Sequence, residues 1–219
     1  MDYTAPSVQY FADLNKHRLN TRNPQNYINR LGRDILNTLG EVSLLDIFLS
    51  RGRAVEPHYH QNAAELVYCI TGSAVVSLIN PFDNKLTNIP IQPGQVANIP
   101  QGWWHWEIAS QDDTHLLAIF DAPYPEYIFG SDLLTKTPPE VLAYIYFLDP
   151  VKLKEVLEPL HNETIVLGPT DQCMADKNEP NAMNLNPLHQ NMMPNASPYN
   201  PPMYQSMQPM KNQNRFYPY

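Results

Sequence analysis

The chain has 219 residues and a formal net charge of −8 at pH 7. Its length fits one domain with an additional tail, and its acidic charge argues against binding to nucleic acid or to an anionic membrane surface. We expect a cytoplasmic protein with free thiols, because no apolar run approaches the ~20 residues that span a bilayer, the start of the chain lacks the layout of a signal peptide, and the two cysteines, Cys69 and Cys173, stand in unrelated segments.

The first predicted zone, residues 1–40, is a polar N-terminal arm. Within it, residues 8–14 are a candidate for a short helix, and the Asn-Pro-Gln-Asn run at residues 23–26 has the composition of a turn. We expect this arm to pack on the outside of the following domain or against a partner subunit.

The second zone, residues 41–167, carries the predicted strands. They are separated by turns rich in Gly, Pro and Asn and cover residues 42–49, 66–70, 74–79, 86–91, 95–99, 106–109 and 116–120. Residues 66–70 are expected to form hairpins with the strand before them and, across residues 71–73, with the strand after them. Short strands at this spacing favour a β-barrel or sandwich.

Helical patterns follow the strands at residues 139–147 and 151–157. Thr135 or Thr137 is expected to cap the first helix, and Asp149 with Pro150 to begin the second. The third zone, residues 168–219, is rich in Pro, Met, Asn and Tyr, and we predict it to be disordered because it cannot bury enough apolar surface to offset the entropy of ordering. Such a tail is either solvated and without function or adhesive through multivalent Tyr and Met contacts.

A group of three histidines and one carboxylate predicts a metal site. His58 and His60 are two residues apart, so on a strand both rings lie on the same face. Glu65 begins the next apolar run, and His105 follows a turn signal at residues 100–102. Imidazoles with one carboxylate suit a first-row divalent metal, and the absence of a thiolate argues against a structural zinc site. An octahedral ion with these four ligands keeps two positions open for water or substrate.

Glycine and proline stand at fixed offsets from these four residues: Gly52 and Gly72 frame the first segment, and Gly94, Pro100 and Gly102 precede His105. The two segments resemble the two sequence motifs of the cupin family. This resemblance implies an all-β, double-stranded β-helix (jelly-roll) barrel with C-terminal helices. It also implies that His58, His60, Glu65 and His105 bind Mn²⁺ or Fe²⁺.

Residues 40–165 are most similar to one cupin unit of the oxalate decarboxylases. The similarity includes residues 72–76 after the first motif, residues 120–121 after the second, and residues 137–142 in the first predicted helix. The resemblance implies a metal-dependent enzyme that acts on a small carboxylate such as oxalate, by decarboxylase or oxidase chemistry.

Three departures from that pattern leave other functions open. Val55 stands where those enzymes have an arginine that holds the substrate carboxylate, Ala109 replaces the motif's terminal asparagine, and residues 120–137 lack an acidic lid. One alternative is a structural or ligand-binding cupin, such as a component of a spore coat or a similar assembly whose partners bind the tail. Another is a cupin dioxygenase or isomerase. A homo-oligomer is a further expectation.

Glu107 is the candidate catalytic residue. It lies two positions after His105, so on a regular strand it shares the face of that ligand and could act as a general acid or base. The alternative is that a bulge or the barrel tilt turns it to solvent. For Trp103, Trp104 and Trp106 we favour packing at the barrel mouth or at a subunit interface over the binding of a specific ring.

Overall fold

The computed structural model describes residues 2–160 and 163–169. Short antiparallel strands are the main regular structure of this part of the chain. The strands are β1 (Arg18–Asn23), β2 (Asn26–Leu31), β3 (Ser43–Leu49), β4 (Ala54–Tyr59), β5 (Glu65–Thr71), β6 (Ala74–Asn80), β7 (Lys85–Ile91), β8 (Val96–Ile99), β9 (His105–Ala109), β10 (Thr114–Phe120), β11 (Ile128–Phe129) and β12 (Leu167–Gly168). The helices are α1 (Gly130–Lys136), α2 (Pro139–Tyr146) and α3 (Pro150–Leu157), with 3-10 turns at Leu14–Lys16 and Glu158–Leu160.

The strands form two sheets that face each other. The first has the order β1-β2-β3-β10-β5-β8, and the second has the order β11-β4-β9-β6-β7, with β12 also paired to β4. Neighbours in the sheets are far apart in sequence, as in the β3–β10 pair, and this is the strand arrangement of a jelly roll. The predicted double-stranded β-helix with trailing helices is therefore confirmed.

Side-chain alternation along the strands creates the core between the sheets. In β10, Leu116, Ala118 and Phe120 are buried, while the residues between them lie on the opposite face. Val67 of β5 and Val76 of β6 reach the same core from opposite sheets. This period of two is the pattern that predicted the strands from the sequence.

The predicted hairpins around β5 are wrong. β5 pairs with β10 and β8, whereas β4 and β6 both lie in the second sheet. At residues 71–73 the chain therefore crosses from one sheet to the other. Gly72 has a φ of 71°, and a Cβ at this position would lie 2.5 Å from Oγ1 of Thr114. The same glycine turn serves a hairpin or a crossing, and only long-range pairing distinguishes the two.

The helix predicted over residues 8–14 is also wrong. The only regular structure there is the 3-10 turn from Leu14, which begins after Asp13, whose side chain accepts a hydrogen bond from the Asn15 N–H. The turn predicted at residues 23–26 does connect β1 and β2. These two strands continue the first sheet beyond the predicted boundary at residue 40.

The two predicted C-terminal helices are present as α2 and α3. Asp149 caps α3 by accepting hydrogen bonds from the N–H groups of Val151 and Lys152, as expected. The predicted cap of α2 by Thr135 or Thr137 is wrong, because α2 begins after Pro138 without a side-chain cap. Apart from residues 168–169, the predicted disordered tail lies outside the described residues. Among those described, no helix is both long and apolar enough to cross a membrane.

Candidate metal centre

Three strands bring the four predicted ligands together inside the barrel. β4 carries His58 and ends just before His60, Glu65 is the first residue of β5, and His105 is the first residue of β9. One nitrogen or oxygen atom of each side chain lies within 4.8 Å of the corresponding atoms of the others. All four side chains are buried. The arrangement that the sequence spacing predicts is thus present.

The three imidazole rings are oriented by backbone carbonyl groups. Nδ1 of His58 lies 2.7 Å from the carbonyl oxygen of Glu56, Nδ1 of His105 lies 2.8 Å from that of Trp103, and Nδ1 of His60 lies 3.0 Å from that of Glu126. A neutral imidazole that donates its Nδ1 proton in this way keeps a lone pair on Nε2. Each ring therefore offers Nε2 to the shared centre, as metal-binding histidines do.

Glu65 supplies the negative charge of the centre. Its Oε2 lies 2.8 Å from Nε2 of His105 and 3.3 Å from Nε2 of His60. Burial alone would raise the pKa of Glu65, but its contacts with His105 and His60 lower it well below the usual range. Burial lowers the pKa of His105, yet the hydrogen bond to Glu65 raises it to about 9. A proton thus lies between these two groups at neutral pH.

The donor set fits a divalent cation. Nε2 of His60 is buried and has no hydrogen-bond partner among the described residues. Burial, and then the neighbouring His105, hold the pKa of His58 well below its ordinary value, so this ring is neutral. An ion bound to the three Nε2 atoms and Oε2 would replace the proton on His105 and satisfy the unpartnered nitrogen of His60. Three imidazoles and a carboxylate are typical ligands of Mn, Fe and related first-row ions.

Glu107 faces the interior of the barrel beside this centre. It is 0% exposed, and its Oε1 lies 3.7 Å from Nε2 of His105. Neither carboxylate oxygen has a hydrogen-bond partner in the described part of the chain. Burial, and then the charge of Glu65, raise the pKa of Glu107 to about 8. The expectation that Glu107 shares the face of His105 is confirmed, and the alternative of a solvent-facing side chain is wrong.

The wall around Glu107 is apolar. Val55, on the neighbouring strand, stands opposite Glu107 in the register of β4 and β9 and is buried. Arg53, the nearest arginine in sequence, donates a hydrogen bond to the Pro169 carbonyl oxygen. Val55 therefore places an apolar side chain where the resemblance implies an arginine.

Aromatic rings that the sequence analysis did not assign to the site complete its surroundings. The ring centroid of Phe129 lies 5.3 Å from that of His58, and Phe120 and Tyr127 lie 4.8 and 6.3 Å from His60. Phe129 belongs to the two-residue strand β11, which pairs with Tyr59 and His58 and is too short to produce a periodic signal.

Two of the three tryptophans near His105 contact neighbouring side chains. Trp103 lies against the hydrophobic core, and the ring centroid of Trp104 is 6.1 Å from that of Tyr59. Ser77 faces Trp106 in the β6–β9 register. These residues therefore support the strands that carry the ligands.

Comparisons with known proteins agree with this architecture. A germin-like protein from Morus alba is 30% identical over 128 residues, which cover 55% of this chain and 58% of that relative. The chain thus spans little more than half the length of that curated relative. Oxalate decarboxylase from Bacillus subtilis has a TM-score of 0.62 at 20% identity, covering 76% of this chain and 46% of its own. Oxalate oxidase in complex with the substrate analogue glycolate has a TM-score of 0.62 at 19% identity, covering 70% and 82%.

At such identities the two solved structures show a shared fold and no more. The family is shown by a different comparison, in which the cupin model, described as "Cupin", matches residues 19–154. This match includes both glycine-framed motifs and all four residues of the centre. The chain belongs to the cupin family.

Proposed function

We propose that this protein is a metal-dependent cupin enzyme that acts on a small carboxylate such as oxalate, with Mn²⁺ or Fe²⁺ held by His58, His60, Glu65 and His105. The observation that carries the proposal is the convergence of four buried donor atoms within 4.8 Å. The three rings are already oriented by carbonyl groups, so the site needs little reorganisation to bind an ion. The fold shared with oxalate decarboxylase and oxalate oxidase supports the choice of substrate class.

Each residue of the site has a distinct role in this proposal. A bound divalent ion would act as a Lewis acid toward a substrate carboxylate. Glu107, with its pKa raised to about 8, keeps a proton on its carboxyl group at neutral pH and can exchange it with a substrate beside His105. Val55, opposite Glu107, and Phe129, beside His58, are both buried and apolar and so help to exclude water from the centre.

A second candidate function is the binding of a ligand without turnover. The observation in its favour is the buried Val55 at the position where the oxalate decarboxylase pattern has a carboxylate-binding arginine. Without that cation, a carboxylate could still bind the ion, but it would not be held in the fixed orientation that a chemical step requires. The two candidates differ in whether Glu107 is needed for a chemical step.

The test begins with the metal content of the purified protein, measured by elemental mass spectrometry. We expect about one Mn or Fe per chain, as one octahedral site requires, and its loss in the double variant His58→Ala/His105→Ala. The loaded protein is then assayed with oxalate for consumption of dioxygen and release of carbon dioxide or formate.

The variant Glu107→Gln separates the two candidates. An enzyme of the proposed kind keeps its metal in this variant and loses turnover. A metal-loaded parent protein that binds oxalate without product formation would support the ligand-binding candidate. A protein that takes up neither metal would overturn both.

We also propose that the protein forms homo-oligomers in the cytoplasm, and that the tail mediates assembly if the protein belongs to a coat. Apolar side chains on the outer face of the first sheet support self-association: Tyr68 is 37% exposed, and Leu117 and Ile119 are half-buried on the same face. Light scattering measures the mass in solution. Imaging of the full chain beside a version that ends after residue 169 tests whether the tail determines location.

A further inference from the structure

A cavity of about 350 Å³ lies between the N-terminal strands and the segment that follows β10. Its walls include Leu31 from β2, Leu44 and Leu45 from β3, and the prolines of residues 123–125. Its volume is at the lower end of the range for small-molecule sites, about 300–1,000 Å³. Because a cavity of about 150 Å³ already accommodates a benzene ring, this one has room for an apolar body of one ring with a side chain, whereas oxalate would leave most of it empty.

One cation and two phenols interrupt this apolar lining. Arg30, Tyr124 and Tyr127 all border the cavity. Arg30 forms a bidentate ion pair with Asp34, with N–O distances of 3.0 and 2.5 Å. This pair uses two of the five N–H donors of a guanidinium, and the others remain available to a second acceptor. The Asp34 side chain is 40% exposed, so water screens its hold on Arg30.

Gly32 allows the ion pair to lie close to the wall of the cavity. Gly32, between the two charged residues, also borders the cavity. A Cβ on Gly32 would lie 2.9 Å from Oδ1 of Asp34 and 3.2 Å from the Pro123 carbonyl oxygen. Any larger residue would therefore push the pair and the 123–125 wall apart.

Tyr127 lies between this cavity and the metal centre. Its ring centroid is 6.3 Å from that of His60, with the two rings perpendicular, and 4.8 Å from that of Phe129. The preceding residue, Glu126, accepts a hydrogen bond from Nδ1 of His60 through its backbone carbonyl oxygen. The cavity is thus one side chain away from the four ligands but shares none of them.

We propose that this cavity binds an organic monocarboxylate with an aromatic or branched aliphatic body, whose carboxylate pairs with Arg30 and whose body packs against Leu45, which stands opposite Arg30 in the β2–β3 pair, and against the prolines of residues 123–125. A monoanion matches the single cation of the lining, and Asp34 disfavours a second negative charge close to it. Tyr124 and Tyr127 offer ring faces to the body and hydroxyl groups to the carboxylate. The site is independent of a bound metal, so it does not depend on the proposed enzymatic function.

Calorimetric titration of the full chain with phenylacetate tests the proposal. We expect phenylacetate to bind at least about tenfold more tightly than 2-phenylethanol, its uncharged counterpart, because a charge-assisted hydrogen bond distinguishes them. Oxalate, which lacks the apolar body, is expected to bind more weakly at this site. Equal affinity for phenylacetate and 2-phenylethanol, or no heat from phenylacetate at millimolar concentration, would overturn the proposal.

Paired variants locate the bound probe. Arg30→Met is expected to weaken phenylacetate binding at least about tenfold, and Asp34→Asn to strengthen it by freeing guanidinium donors. Leu19→Trp, a substitution at a partly exposed residue of the lining, fills the cavity and should block the probe without touching Arg30. Thermal unfolding checks that each variant is folded. If Arg30→Met does not fold, Asp34→Asn and Leu19→Trp still test the proposal.

The double variant His58→Ala/His105→Ala distinguishes this site from the metal centre. It is expected to bind phenylacetate with the affinity of the parent chain, whatever the outcome of the metal measurements. Loss of binding in that variant, with Arg30→Met unaffected, would place the probe at the metal centre and refute the cavity as its site.

Discussion

His58 and His105 stand directly opposite each other in the antiparallel pair of β4 and β9, and their ring centroids are 4.1 Å apart. The separation of these two predicted ligands is therefore fixed by strand register. A slip of one residue would turn one ring away from the barrel interior. On the other side of β9, Leu78 of β6 pairs with His105, so β6 also fixes the register of β9.

Removing one of these rings should abolish stoichiometric metal binding. We expect His105→Ala to lower the affinity for Mn²⁺ by at least about 100-fold, since an outer partner of a metal ligand alone is worth about 10–100-fold. His115→Ala is the matched control, because His115 lies on the outer face of β10 and pairs with Asp46. Metal content by elemental mass spectrometry checks both variants. Equal metal loss in the two would contradict this assignment.

Metal affinity should rise with pH. With the pKa of His105 at about 9 in the metal-free protein, the ion must displace a proton at any lower pH. We expect the apparent affinity to increase about tenfold per pH unit between about pH 6 and pH 8. Titrations in buffers of different ionisation enthalpy measure the released protons. An affinity that does not change with pH would mean that no ligand is protonated before binding.

The contribution of Glu107 to the stability of the metal-free protein should fall as the pH rises from about 4.5 to about 8, the interval between the ordinary and the raised pKa of this residue. The folded state keeps the carboxyl group protonated there, while the unfolded state releases the proton, so rising pH favours unfolding. The effect is on the order of 5 kcal/mol. Glu107→Gln cannot ionise and should give a flatter curve.

Denaturant unfolding in the presence of a chelator, at several pH values, measures this difference. The parent chain and Glu107→Gln should differ little near about pH 5 and most near about pH 8, because between these values only the unfolded parent chain releases the proton of Glu107. Parallel curves for the two proteins would show that Glu107 does not titrate in this interval.

Glu56 should be a structural residue that supports His58. Its carboxylate accepts hydrogen bonds from the N–H and hydroxyl of Ser131, at 2.9 and 2.8 Å, and from the N–H of Val166 at 2.7 Å. In Glu56→Gln an amide NH₂ replaces one acceptor and faces a donor. We expect a loss of about 1–3 kcal/mol in unfolding free energy, against no measurable change in Glu155→Gln, which alters an exposed residue.

The candidate ligands could be predicted from the sequence because strand geometry makes residues two apart share a face, and the glycines mark the turns on either side. Strands such as β3 and β10 were predictable for the same reason, since their apolar residues alternate or run continuously. The inward orientation of Glu107 followed from its spacing to His105. All of these features depend on residues that are close together in the chain.

The features that sequence analysis missed depend on residues that are far apart. The pairing of β5 with β10 joins segments on both sides of the second motif, and no local signal distinguishes it from a hairpin with β6. The carboxylate of Glu56 accepts hydrogen bonds from Ser131 and Val166, which are 75 and 110 residues away in the sequence. Arg30 and Tyr127 border one cavity only because β2 and the segment after β10 come together in the fold.

The ligand set draws on both sheets: Glu65 begins a strand of the first, whereas His58 and His105 belong to the second. Neither sheet alone can hold the ion in full coordination, so the site is completed only when the two sheets close on each other. Contacts between distant segments form slowly in all-β proteins. During refolding, metal uptake should therefore follow the appearance of strand structure, and metal binding would report the closure of the two sheets.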